Sequence, residues 1–89
     1  MSCSRTLEIT NRRGLHARAS AKFVTVAAGL PARVEVEKDG NRVCGTSIMG
    51  LMMLGAAMGD TITIHCAGDG CGDALEQLSA LVTERFGED

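Results

Sequence analysis

A histidine carries a nitrogen nucleophile that is available near neutral pH, and His16 stands where one could be used. It follows the loop residues Gly14-Leu15 and opens an alanine-rich segment expected to be helical from Ala17 to Ala28. The first turn of a helix leaves backbone N–H groups without intrahelical partners, and the macrodipole adds partial positive charge there. That setting disfavours an imidazolium and keeps the ring neutral. A phosphoryl group attached to the ring would be met by amide donors, those of Ala17 and Arg18 first. The Arg18 side chain adds a planar charged partner for phosphate. Each dipolar contact at an exposed site is worth only about 0.3–1 kcal/mol, so the group would be held loosely enough to move on. From Gly-Leu-His alone, however, an ordinary polar residue at a helix start is the expected reading. The chemical one needs the ring presented to solvent, in front of unpaired amides.

The other chemistry-bearing residues are weaker signals. Ser47 precedes the apolar run Ile48-Met49-Gly50-Leu51-Met52-Met53-Leu54 and fits a helix N-cap, a role worth about 1 kcal/mol. A short helix apolar nearly all round cannot bury every face in a small domain. Leu51 and Leu54 are assigned to the core, and Ile48, Met49 and Met52 to an exposed patch beside His16, where methionine suits a surface that fits several partners. Cys3, Cys44, Cys66 and Cys71 form no CxxC pair. His65, Cys66 and Cys71 have no standard zinc spacing, so buried or incidental thiols are expected, with no metal and no cofactor. His65 reads as an outward-facing strand residue, Arg12 and Arg13 as solvated loop charges, and Lys38-Asp39-Gly40 as a turn.

The elements that must position these residues follow from periodicity. Arg5 to Thr10 alternates, with Leu7 and Ile9 on one face. Phe23, Val24 and Ala27 share a face of the Ala17–Ala28 helix, which Gly29 closes and Pro31 keeps from continuing. Ala32, Val34 and Val36 mark a second strand, Asp39-Gly40 a hairpin, and a short third strand runs through Val43. A short helix follows Ser47 and ends near Gly55. Thr61 to Cys66 alternates again, with Ile62, Ile64 and Cys66 inward. The turn Gly68 to Gly72 leads to a last helix, for which Asp73 and Glu76 offer a capping box and Leu75, Leu78, Leu81 or Val82, and Phe86 the apolar stripe. The order β-α-β-β-α-β-α, with strands polar on one face, predicts an α+β open-faced sandwich: a four-stranded antiparallel sheet with three helices on one face. All 89 residues are expected to form one domain.

Composition removes several classes of function. The chain has two Phe, no Trp and no Tyr, too few aromatic faces to stack single-stranded nucleic acid. Its formal charge of −2 gives no basic field for a polyphosphate backbone, so nucleic acid is not expected as a partner. The first residues, MSCSRTLEIT, carry no apolar run of a signal sequence, and no stretch approaches the length of a membrane span. A cytoplasmic protein without membrane insertion is expected. No acid–base pair accompanies His16, which argues against an independent enzyme.

Two separated segments then narrow the reading. Gly14-Leu15-His16-Ala17-Arg18-Ala19-Ser20 resembles the active-site signature of the HPr family, the histidine-containing phosphocarriers of the bacterial phosphotransferase system. Ser47-Ile48-Met49-Gly50-Leu51-Met52 resembles that family's regulatory signature. The likeness spans essentially the whole chain. It implies a monomeric carrier in which His16 is phosphorylated through Nδ1 with help from Arg18. Phosphate would come from phosphoenolpyruvate by way of enzyme I and leave to an enzyme IIA domain. It also implies that Ser47 is the target of an ATP-dependent HPr kinase/phosphorylase, and that Ile48, Met49 and Met52 lie in the docking face. One position departs: the family commonly has proline where this chain has Ala19. Alanine is an excellent helix former, so the expected change is in rigidity and not in chemistry. The alternative is a regulatory module of a nitrogen-linked branch with no role in sugar uptake.

Overall fold

The computed structural model describes residues 1–88. Four strands, β1 (Ser2–Glu8), β2 (Arg33–Lys38), β3 (Asn41–Cys44) and β4 (Thr61–Ala67), make one antiparallel sheet in the order β1-β4-β2-β3. Three helices, α1 (Ala17–Ala28), α2 (Ile48–Met53) and α3 (Cys71–Thr83), accompany it, and a single 3-10 turn, Arg85–Gly87, follows. Val34, Val36, Ile62, Ile64 and Cys66 point inward to meet Phe23, Leu51, Leu78, Val82 and Phe86 in one buried cluster. The alternate positions lace the outer face with polar contacts: Thr6 to Thr63 at 2.9 Å, His65 to Glu37 at 2.8 Å and Arg42 to Glu35 at 3.3 Å. A face of that kind needs no second layer. The α+β open-faced sandwich expected from the sequence is the fold observed.

Local chemistry explains most boundaries. Asp39 and Gly40 both take positive φ, 52° and 82°, as a tight turn between β2 and β3 requires. Helix α1 has the predicted bounds and closes at Gly29, whose N–H donates to the Val26 carbonyl while the Leu30 N–H donates to that of Ala27. β1 lies earlier than its alternation indicated, because its register with β4 runs from Ser2 opposite Ala67 to Glu8 opposite Thr61. Ile9 remains buried beyond the strand end, exchanging backbone bonds with Asp60 and Gly59.

Three expectations are corrected. No capping box starts α3. Its N-cap is Gly70 in a left-handed conformation, the helix begins at Cys71, and Glu76 pairs instead with Arg5 at 2.7 Å. Phe86 does fill the core, but from the turn after α3 and not from the helical stripe. His65 is more than a free surface residue, since Glu37 holds its ring. His65 also faces away from Cys66 across the pleat, so the two cannot share a metal.

Candidate functional site

The loop that carries His16 is set by three buried contacts. Gly14 has φ +63°, and a Cβ added there would sit 2.2 Å from the Ala56 carbonyl oxygen, so only glycine lets the loop lie against the segment after α2. Leu15, itself buried, donates its N–H to that same oxygen at 2.9 Å. Ser20, fully buried, donates its hydroxyl to the Leu15 carbonyl at 3.1 Å and ties the loop to the first turn of α1. The serine hydroxyl contributes more than helix propensity would indicate.

His16 is the N-cap of α1. Its carbonyl accepts from the Ser20 N–H at 2.9 Å, and its ring Nδ1 accepts from the Arg18 N–H at 3.3 Å. An amide only donates, so Nδ1 presents its lone pair to the helix start. The opposite ring nitrogen, Nε2, lies 2.7 Å from Glu88 Oε2. Burial raises the Glu88 carboxyl, but hydrogen bonds from Asn11 and His16, and the charge of Lys22, outweigh it and hold the group below its ordinary value. An ionised carboxylate only accepts, so Nε2 carries the ring proton. The two partners together fix one tautomer: Nδ1 free to attack, Nε2–H anchored.

The ring is less open than expected. Its side chain is 15% exposed because Glu88 lies across the Nε2 edge. That carboxylate arrives from the far end of the described chain. Arg85, Phe86 and Gly87 take φ of 58°, 55° and 75°, a left-handed reversal that turns the chain back over α1. Non-glycine residues held there are strained by about 1 kcal/mol or more each. Phe86 offsets this by burying its ring, and Lys22 donates Nζ to the Phe86 carbonyl at 2.6 Å. Asn11, also fully buried, donates Nδ2 to both the Gly14 carbonyl (2.8 Å) and Glu88 Oε1 (3.1 Å). Asn11 and Glu88 were not singled out from the sequence. Only the Phe86-Gly87 pair, an apolar anchor before a residue suited to positive φ, hinted at the reversal.

Arg18 is exposed, and so are Arg12 and Arg13. The N–H groups of Ala17 and Ala19 find no acceptor among the described residues. Ala19 itself is fully buried in an intact first turn. What the arrangement can do is specific: an unprotonated nitrogen facing the amides of a helix start can take an electrophilic group that arrives as an anion.

These features have known counterparts. The model of the family described as PTS HPr component phosphorylation site matches residues 3–84. The chain belongs to the HPr family. It is 43% identical over 84 residues to the phosphocarrier protein HPr of Cupriavidus necator, which covers 94% of each chain. The crystal structure of an HPr from Thermoanaerobacter tengcongensis superposes with a TM-score of 0.93, at 39% identity and 98% coverage of both chains. A phosphocarrier protein NPr of Shewanella violacea is also similar, 36% identical over 84 residues, 94% of this chain and 92% of that one. Family membership supports a phosphocarrier role in the phosphotransferase system.

Elsewhere on this HPr-family chain, Ser47 caps α2 as expected, accepting the Gly50 N–H at 3.0 Å. Leu51 and Leu54 are buried. Ile48, Met49 and Met52 are 41%, 68% and 40% exposed, and Met53, which the sequence reading left unassigned, is 80% exposed. The α2 segment neighbours the His16 loop through the Leu15–Ala56 bond.

Proposed function

We propose that this chain is a cytoplasmic phosphoryl carrier that accepts phosphate from enzyme I on Nδ1 of His16 and donates it to an enzyme IIA domain. The observation that carries the reading is the pair of bonds on the imidazole, Arg18 N–H to Nδ1 and Nε2 to Glu88. In the transfer the Nδ1 lone pair attacks phosphorus and the bond to the donor's nitrogen breaks. The Arg18 N–H, only weakly engaged at 3.3 Å, turns to a phosphoryl oxygen together with the Ala17 N–H, and the exposed Arg18 guanidinium swings in to pair with the phosphate. Bond formation places positive charge on the ring. Glu88 stabilises that charge from the Nε2 side, with the ring standing between its carboxylate and the phosphate. Reverse attack by an acceptor histidine returns the ring to its neutral form, so the carrier finishes unchanged and is not an enzyme by itself.

Ile48, Met49 and Met52 supply an adaptable apolar surface for successive partners. Ser47, at the start of α2, is the regulatory site for an HPr kinase/phosphorylase. A phosphate there adds negative charge at a helix start, which the fold tolerates, and changes the docking face instead. No described helix is long and apolar enough to cross a membrane. The sugar-linked branch is preferred to a nitrogen-linked regulatory one because identity to HPr exceeds identity to NPr.

Incubation with phosphoenolpyruvate and enzyme I tests the carrier. An acid-labile, base-stable phosphate should map to His16. Label on another residue, or none, overturns the proposal. Loss of sugar uptake in a His16→Ala strain separates the branches, since a purely regulatory module would leave uptake intact.

A further inference from the structure

Three of the four cysteines converge at the end of the sheet away from His16. Cys3 is the second residue of β1 and stands opposite Cys66 of β4 in the strand register, and Cys71 is the first residue of α3, which packs on both strands. The Cys3 and Cys71 sulfurs are 2.8 Å apart. A disulfide brings two sulfurs to about 2.0 Å, so these stand within about 1 Å of bonding distance. Cys66 and Cys71 are buried, while Cys3 is partly exposed and gives the pair its only route to solvent. Packing alone accounts for buried thiols; it does not account for an accessible sulfur pressed against a second one 68 residues away.

We propose that Cys3 and Cys71 form a reversible disulfide through exchange with a low-molecular-weight disulfide, tying the edge strand β1 to the start of α3. The Cys3 thiol loses its proton and attacks the oxidant's sulfur, forming a mixed disulfide and releasing one thiolate. Cys71 then loses its proton and attacks Cys3 Sγ, and the second thiolate leaves. Two cysteine thiols are oxidised, one disulfide is reduced, and the two protons end on the departing thiols. The hydrogen bond with Cys71, then burial, hold the Cys3 thiol above its ordinary range, so the pair depends on proximity and not on a preformed thiolate. Burial, with the neighbouring Cys3 and Cys71 thiols, raises the Cys66 thiol, and among the described residues its sulfur makes no hydrogen bond. Among thiols of cytosolic proteins, reversible pairs of this kind serve as redox sensors.

The test uses the full chain carrying Cys44→Ser, because Cys44 is exposed and its thiol is lowered by the hydrogen bond to Thr46, which makes it a competing nucleophile. Oxidised glutathione should reduce the titratable thiols from three per chain to one. Unreduced digestion with trypsin and Asp-N should link the peptide of residues 1–5 to that of residues 69–72, which carry Cys3 and Cys71. The melting temperature should rise by about 10 °C and return on adding dithiothreitol. A link from Cys3 to the peptide of residues 60–68, a persistent glutathione adduct on Cys3, or three thiols remaining would each overturn the pair. Adding Cys71→Ser should leave Cys3 glutathionylated and unlinked; a link formed equally well without Cys71 counts against it.

Discussion

Replacing Glu88 by Gln removes a charge and leaves one acceptor oxygen: turned toward Nε2 it keeps the ring contact, while the amide NH2 then faces the Asn11 Nδ2 donor, a loss common to the resting and phosphorylated forms. With Nδ1 accepting from the Arg18 N–H, the resting ring carries one proton and no charge, so losing the carboxylate charge costs little at the ring. In the phosphorylated protein the ring is cationic, and the attraction between ring and carboxylate is gained only there. The Nε2 to Oε2 distance of 2.7 Å places the two charge centres about 4 Å apart. Unit charges at that separation attract by about 4 kcal/mol at an effective dielectric of 20 and by about 1 kcal/mol in bulk water. The two side chains are 15% and 16% exposed, which sets the value between these limits. Repulsion from the phosphate on the far side of the ring takes part of it back. A net of about 1–2 kcal/mol corresponds to a 5- to 30-fold shift, at about 1.4 kcal/mol per tenfold. The equilibrium of phosphoryl exchange with enzyme I should therefore move against the Glu88→Gln protein by roughly that factor, read from the labelled fraction of each protein. Glu88→Asp, which keeps the charge, should recover part of it. An equilibrium within about twofold of the parent, in a variant that melts normally, would refute the coupling of carboxylate and ring.

Other perturbations give independent checks. Gly14→Ala meets both a positive φ and the Ala56 carbonyl, so it should lower stability by about 2 kcal/mol or more in urea unfolding. Ser47→Ala removes the α2 cap and should cost about 1 kcal/mol by the same measurement, whereas Ser47→Asp should melt like the parent yet accept phosphate from enzyme I more slowly. The Glu88 carboxyl lies below its ordinary value of 4.5 in the folded chain, so the unfolded chain takes up that proton first. Its stabilisation is complete above that pH and drains as pH falls through the folded value. Glu88→Gln should flatten that part of the acid limb of a stability–pH curve. Ala19→Pro should leave the melt unchanged or raise it by about 0.5–1 kcal/mol equivalent, and should quicken dephosphorylation to the extent that the Ala19 N–H contacts the phosphoryl oxygens.

The residues whose roles could be read from the chain are those governed by local rules. Val34 and Val36, and Ile62 and Ile64, alternate because a pleat has period two, and that pattern indicated the sheet and its buried face. Ser47 was legible as a cap because capping spans three residues. Helix α1 kept its expected ends because glycine and proline follow it directly. The capping box failed at α3 because Gly70 adopts a left-handed conformation that starts the helix two residues before Asp73, a choice made by the tight turn out of β4. At the site, His16 and Arg18 were visible in one segment. Glu88 was not, being 72 residues distant and delivered by a reversal whose strain is offset only by Phe86 reaching the core. Asn11 was hidden for a related reason: its burial depends on Gly14 and Glu88 closing over it.

Under the proposed carrier role, the two bonds on the imidazole also favour one ring nitrogen before any donor arrives. One ring nitrogen has its lone pair directed at the helix start, and the other has its pair committed to an N–H that a carboxylate holds in place. A phosphorylating reagent too small to be guided by a docking surface, such as phosphoramidate, would meet the same bias. On that proposal the resting geometry selects the isomer, and partners need only bring the phosphorus within reach.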